Sequence, residues 1–239
     1  MLDVHAPHEK THTWIDFFIH IATIVVGLLI AVGLEQAVEA IHHRHERDDL
    51  RESMQHESEQ VLRDATSTAA AQDYSLNIIS ARIQNVKDAA WTQKPLASPA
   101  PYKLPLFAYP DDPIWRSAKT SGGAALLTPD EINGYSEIEL ICEKVSIFYD
   151  HWREAESKRF QFEKELPVLP NGQPDFSVVK PEDLHIYLSL LMSESSASLV
   201  FRTWNRDLIG AENTLLSGNF KLVDIFAAEK KAQGQLDLP

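Results

Sequence analysis

An all-α fold, with one membrane helix running into a long helix and an antiparallel helical bundle, is predicted by three features of the chain. Phe17 to Leu34 is a run of eighteen residues with no Asp, Glu, Lys or Arg. Between Gly33 and Pro95 there is neither glycine nor proline, so nothing there interrupts a helix. Further on, Tyr135, Ile138, Cys142, Val145, Tyr149 and Trp152 recur at steps of three and four, the spacing of a helix seam. The organisation that follows is a tail over 1–13, a transmembrane helix and juxtamembrane turn over 14–41, and a soluble α-helical domain over 42–239 with a proline-rich connector at 95–113.

The first helix begins at Thr13-Trp14-Ile15-Asp16, which fits a capping box in which hydroxyl and carboxylate satisfy free backbone amides. Trp14 then belongs at the lipid–water boundary, where an amphipathic ring is favoured. Twelve of the eighteen apolar-run residues are Phe, Ile, Leu or Val. At about −0.3 to −0.6 kcal/mol apiece they favour insertion by roughly 4 to 7 kcal/mol. A helix of this length spans about 27 Å, close to the hydrocarbon thickness. A cleaved signal peptide needs a basic start, a shorter apolar run and a small-residue cleavage site. Here "MLDVHAPHEKTHTW" has one lysine, and the best cleavage candidate, "AVEA", carries Glu39. A buried core helix would show a clearer polar stripe. An uncleaved anchor is therefore expected.

At about 100° per residue, Asp16, His20, Thr23, Gly27 and Ala31 fall within one arc. Gly27 and Ala31 form a small-xxx-small pair that lets backbones approach, and an ionisable group inside a span faces protein or water rather than lipid. This stripe is the predicted packing surface for a second copy or a membrane partner.

Beyond the span, Leu50, Met54, Val61, Ala65, Ala69, Leu76, Ile79, Ile83, Val86 and Ala90 recur with helical spacing, and the small, polar "ATSTAAAQ" predicts a bend near Ser67 to Asp73. Six prolines between 95 and 113 impose an extended connector, whose Tyr102, Leu104, Leu106, Phe107 and Tyr109 predict packing along the domain surface. Asp112-Pro113 opens a short helix that Gly122-Gly123 stops. Thr128-Pro129-Asp130-Glu131 opens the seam helix, which ends near Leu166. "DFSVV" is the one plausible strand. Pro181 opens the last long helix, with Leu184, Tyr187, Leu188, Leu191, Leu199 and Trp204 as core residues; loosening is expected at Ser193 to Ser198, and breaks at Gly210 and Ser217-Gly218.

The formal net charge of −13, from 35 acidic and 22 basic residues, disfavours a nucleic-acid partner. The single cysteine, Cys142, excludes an intramolecular disulfide and any multi-cysteine metal site, and its spacing places it in the core. His5, His8 and His12 precede the span; His42, His43 and His45 follow it. Converging imidazoles bind zinc, copper or nickel, and titrate near neutrality. The competing reading places them at headgroup level beside the arginines. Glu39 with His42 and Glu182 with His185 each form Glu-x-x-His, the pair used by di-iron bundles, but they sit on distant parts of the chain. No G-x-S-x-G, P-loop, G-x-G-x-x-G or H-E-x-x-H occurs. "TSGGAALL" reads as helix termination. No catalytic residue and no cofactor is predicted.

The N-terminal segment, through Val26, Gly27, Leu29, Ile30 and Ala31, resembles an uncharacterised family of bacterial single-pass membrane proteins in which an Ile/Val-Gly-x-Leu-Ile-Ala membrane helix precedes a polar helix. Trp115 to Glu139 is similar to a Ser-Gly then Tyr segment of such proteins. The resemblance covers a minority of the chain and implies no known activity. It implies a bacterial inner-membrane protein with its C-terminal domain in the periplasm. Counting Arg44, Arg47 and Arg51 against Lys10 points the other way; the periplasm is the expectation carried forward. The expected role is an interaction or scaffold subunit whose partners are the bilayer and either a second copy or a membrane protein. The alternatives are a ligand-, metal- or pH-sensing domain without its own output domain, and an enzyme without a recognisable motif.

Overall fold

The computed structural model describes residues 14–99, 107–108 and 110–234. Five α-helices are described: α1 (Trp14–Thr92), α2 (Pro113–Ser121), α3 (Pro129–Lys164), α4 (Pro181–Leu216) and α5 (Leu222–Gly234). Two 3-10 turns, Gly123–Leu126 and Phe176–Val178, and one isolated bridge between Val168 and Pro174 complete the regular structure of the described residues. The predicted all-α fold is the observed one. The chain divides into two compact units, 1–49 and 50–239.

In the first unit every residue from Trp14 to Glu46 is exposed, among them Phe17, Ile24, Leu28, Leu29 and Ile30. This stretch of α1 reaches a mean hydropathy of 2.6 with none of it buried, and is long and apolar enough to cross a membrane. The juxtamembrane turn expected before residue 42 is absent. Glu35 to Asp49 holds good helix formers and pairs Glu39 with His43 and His42 with Glu46 at i,i+4, so the helix has no reason to stop. The Thr13 cap lies outside the described residues.

The second unit is built on one repeat. On α1 the buried positions Met54, Ser58, Val61, Ala65, Thr68, Gln72, Ser75, Ile79, Arg82, Val86 and Ala89 alternate by four and three, with Leu76 buried beside them. α4 follows the same steps from Leu184 through Tyr187, Leu191, Glu194, Ser198, Phe201 and Asn205 to Leu208, with Asp207 buried beside them. On α3 the predicted seam is buried except for the half-exposed Tyr149, and it continues through Glu156, Arg159 and Glu163. A 3.5-residue period on each helix is the signature of coiled-coil-like bundle packing. Cross-links fix the directions. Arg51–Glu131 and Arg82–Glu163 make α3 parallel to α1, whereas Arg159–Glu194 and Tyr187–Glu163 make α4 antiparallel to α3.

Parallel α1 and α3 require the chain to return along the bundle. From Thr92 back to the level of Glu57, helix rise demands about 52 Å, and the twenty-odd residues of the connector supply roughly 60 Å in a polyproline conformation. Contacts mark the route: Leu96 in the cluster of Val86 and Ala89, the Ala108 carbonyl accepting from Thr68 Oγ1 at 3.2 Å, and Ile114 N donating to Glu57 at 2.6 Å. Phe107 confirms the connector's packing, with its ring 4.7 Å from that of Trp152; Tyr102, Leu104, Leu106 and Tyr109 lie outside the described residues.

The helix starts and stops follow local chemistry. α2 ends at Gly122, φ +87°, and α4 gives way to Gly218, φ +81°, conformations that favour glycine. Thr128 and Glu131 form the predicted capping box. Several predicted interruptions are absent. α1 runs unbroken through "ATSTAAAQ" because its small residues admit a close neighbour: Asn205 of α4 donates to the Ala65 carbonyl at 2.7 Å. Ser193 to Ser198 likewise stay helical, with Glu194 and Ser198 facing the core. Gly210 lies within α4, where a Cβ would sit 3.0 Å from the Ala228 carbonyl oxygen of α5. "DFSVV" is a 3-10 turn, because Asp175 caps the Ser177 amide and Phe176 anchors the core. Ala89 rather than Ala90 is buried.

Candidate functional site

The bundle core consists of two apolar clusters. One gathers Met54, Val61, Trp115, Ile138, Val145, Trp152, Phe201 and Leu208; the other gathers Ile79, Val86, Phe176, Leu184, Tyr187 and Leu191. Where they meet, each of the three long helices places polar groups at consecutive core positions: Gln72 and Ser75 from α1, Glu156 and Arg159 from α3, and Glu194 and Ser198 from α4. All six are buried.

Arg159 is the hub. Its Nε and Nη2 donate to the two oxygens of Glu194, and its Nη1 donates to Glu163 Oε1 at 2.8 Å. The same Glu163 oxygen accepts from Arg82 Nη1 and from the Tyr187 hydroxyl, each at 2.8 Å. Two guanidinium and two carboxylate charges balance, which is what burial of charge demands. Glu156 is the surplus acid. Burial, then the neighbouring Glu194, pushes its carboxyl up to about 7, against the pull of Arg159 and Arg153. Glu156 Oε1, Trp152 Nε1 and both amide atoms of Gln72 are shielded from water without a hydrogen-bond partner.

A second set of acids surrounds the start of α2. Glu57 accepts from the Ile114 and Trp115 amides at 2.6 and 3.2 Å, capping α2 from another helix, where Asp112 gives no side-chain cap. Glu212 on α4 is fully buried, and the Ser58 hydroxyl is the one neighbour that favours its charge. Burial pushes Glu212 up to about 8, which favours its neutral form at pH 7. Burial opposes the charge on Glu131, yet the Arg51 guanidinium and Thr128 hold its carboxyl down at about 2. Cys142 is buried as predicted, and burial pushes its thiol pKa up, which removes the thiolate a nucleophile needs.

Cavities open off this core. One of about 210 Å³ is bounded by Arg51, Ser58, Glu131, Tyr135 and Phe220. Another, about 630 Å³, lies at the other end of the bundle between Ala89, Lys94, Pro95, Val179 and Leu184. Glu156 and Glu212 line neither. The arrangement ties the three long helices together.

The predicted stripe lies wholly on exposed helix: Asp16, His20, Thr23, Gly27 and Ala31 all face outward, and a Cβ at Gly27 would meet nothing within 4 Å. Thr23 donates to the Ile19 carbonyl at 2.8 Å, so its hydroxyl is satisfied on its own helix. His42 pairs with Glu46, and His43 with Glu39 and Glu46; His45 is exposed. Among the described residues no group of three or more His, Cys, Asp or Glu side chains is placed to hold a metal ion. Glu39 faces His43 rather than His42, so the first Glu-x-x-His pair does not form. α4 is also long and apolar enough to cross a membrane, at mean hydropathy 1.2, but a third of that stretch is buried and its inner face carries Glu194 and Ser198.

The charged layer was missed in the sequence although a signal existed. Extending the seam from Trp152 by four, three and four reaches Glu156, Arg159 and Glu163, charged residues at core register. No family model, curated protein or solved structure matches the chain.

Proposed function

We propose that the chain is a single-pass anchored protein of a bacterial inner membrane, whose periplasmic helical bundle serves as an interaction or scaffold subunit. The observation that carries this reading is the first unit: sixteen large apolar side chains between Trp14 and Ile41 stand exposed on one uninterrupted helix. Such a surface far exceeds what a water-soluble protein leaves uncovered, and its length matches a bilayer. The resemblance of the Val26–Ala31 segment to bacterial single-pass membrane proteins supports the periplasmic side. Asp16, His20, Thr23, Gly27 and Ala31 form the face on which a second copy or a membrane partner packs. A bundle whose core is closed by balanced ion pairs suits a scaffold better than a catalyst.

Carbonate extraction of native membranes tests the anchor: the protein stays in the pellet, and release into the supernatant ends this reading. Cysteines placed singly at Gly27 and Leu28 test the face, with crosslinking expected at Gly27 alone. Equal reaction at both positions, or none, removes the packing surface.

A further inference from the structure

Helix α5 meets the rest of its unit through a carboxyl-rich seam. Ile225 is its one fully buried residue, while Val223 and Phe226 face outward. α5 crosses α4 closely at Gly210, with the Ala228 carbonyl against the bare α-carbon. Beside this crossing Glu229 of α5 lies within electrostatic reach of Asp207 of α4 and Glu137 of α3. Asp207 is almost wholly buried. Its Oδ2 accepts from Gln233 Nε2 of α5 at 2.8 Å, while its Oδ1 and the Oε1 of Glu229 are shielded from water and lack a hydrogen-bond partner. The charged groups that act on Glu229 are the acids of α3 and α4, with no cation among them, and Asp207 is steadied by Gln233 alone. On α5 itself Lys230 and Lys231 are exposed, and Asp224 is engaged by Asn219.

A shielded carboxyl without a cation keeps its proton or leaves the site. We propose that α5 is a proton-held latch: protonated Glu229 and Asp207 hold it on α3 and α4, and loss of those protons releases it about the Ser217–Lys221 turn. Burial, then Glu137 and Asp207, pushes Glu229 up to about 7, and burial pushes Asp207 up to about 6. Because both values lie above those of a free carboxyl, the closed form binds more protons than the open form. Closure is therefore complete in mild acid and is lost as pH rises toward about 7. Each carboxyl raises the opening constant by up to about tenfold per pH unit within its window. The geometry suits release, since a helix anchored by one buried side chain opens more easily than α3 or α4.

The test is amide hydrogen exchange on the full chain in detergent micelles at pH 5.0 and 8.0, expressed as protection factors so that the intrinsic pH dependence cancels. Leu222 to Gly234 should lose protection on the order of a hundredfold at the higher pH, while Leu184 to Leu191 keeps its own. Glu229→Gln, which carries a neutral amide at every pH, should keep α5 protected at pH 8.0 and flatten the response; Asp207→Asn should do so in part. Equal α5 protection at both pH values overturns the proposal. So does loss that extends equally to Leu184–Leu191, or a Glu229→Gln chain with the native pH slope. Should that variant fail to fold, the titration of the native chain decides.

Discussion

Arg159 reaches both oxygens of Glu194 across the α3–α4 interface, and neither side chain is open to water, at 1% and 0% exposure. The pair sits where the two apolar clusters meet and shares its guanidinium with Glu163, which also holds Arg82 of α1. One arginine thus ties α3 to α4 directly and to α1 through Glu163. Apolar heptads alone tolerate a slip of one repeat, whereas this network is satisfied in one register only.

Removing one partner should therefore cost more than removing both. Arg159→Met leaves the Glu194 and Glu163 carboxylates buried with less compensation, and destabilisation of about 3–5 kcal/mol is expected. Arg159→Met with Glu194→Leu removes both charges of the pair and leaves Glu163 with Arg82, so it should recover most of that loss. Denaturant unfolding of the full chain in micelles measures both. A double variant as unstable as the single would contradict the assignment.

Glu156 and Glu212 make the bundle more stable in mild acid than at neutrality. Their folded pKa values, about 7 and about 8, lie above that of a free glutamate. The folded state thus binds more protons, so their contribution is full below pH 4.5 and is lost as pH rises to about 7 and 8. The slope is up to about 1.4 kcal/mol per pH unit for each proton. Glu131 acts oppositely: its contribution is present above pH 4.5 and lost as pH falls through about 2. Unfolding midpoints measured from pH 4 to 9 should peak near 4.5–5, and Glu156→Gln with Glu212→Gln should flatten the decline on the alkaline side.

The fold was legible where a single helix's own chemistry decides it. Thr128-x-x-Glu131 satisfies amides within one turn, and Gly122 permits its own positive φ. It was illegible where a neighbouring helix decides. Gly210 reads as a breaker until α5 lies against it, and the alanines and threonines after Ala65 read as a bend until Asn205 arrives. The charged layer was hidden for the same reason: Glu156, Arg159 and Glu194 look like a solvated face until their partners are placed.

Cys142 should be unreactive in the folded chain. It is buried among Ile138, Ile141 and Val145, and burial raises its thiol pKa. Maleimide labelling at pH 7.5 should be negligible natively and rapid in denaturant. Rapid native labelling would mean that the α2–α3 contact opens far more readily than a closed core allows.

Gly210→Ala sets two effects against each other. Alanine in a helix interior gains about 1 kcal/mol over glycine. At this position, however, the added Cβ meets the Ala228 carbonyl oxygen and carbon at 3.0 and 3.1 Å, backbone atoms that cannot rotate away. Overpacking of this kind costs about 1–3 kcal/mol. α5 has only Ile225 fully buried to resist displacement, so it moves rather than α4. The expected result is nearly unchanged global stability with α5 amide protection lowered by tenfold or more. Unchanged α5 protection would mean that the crossing relaxes without moving the helix.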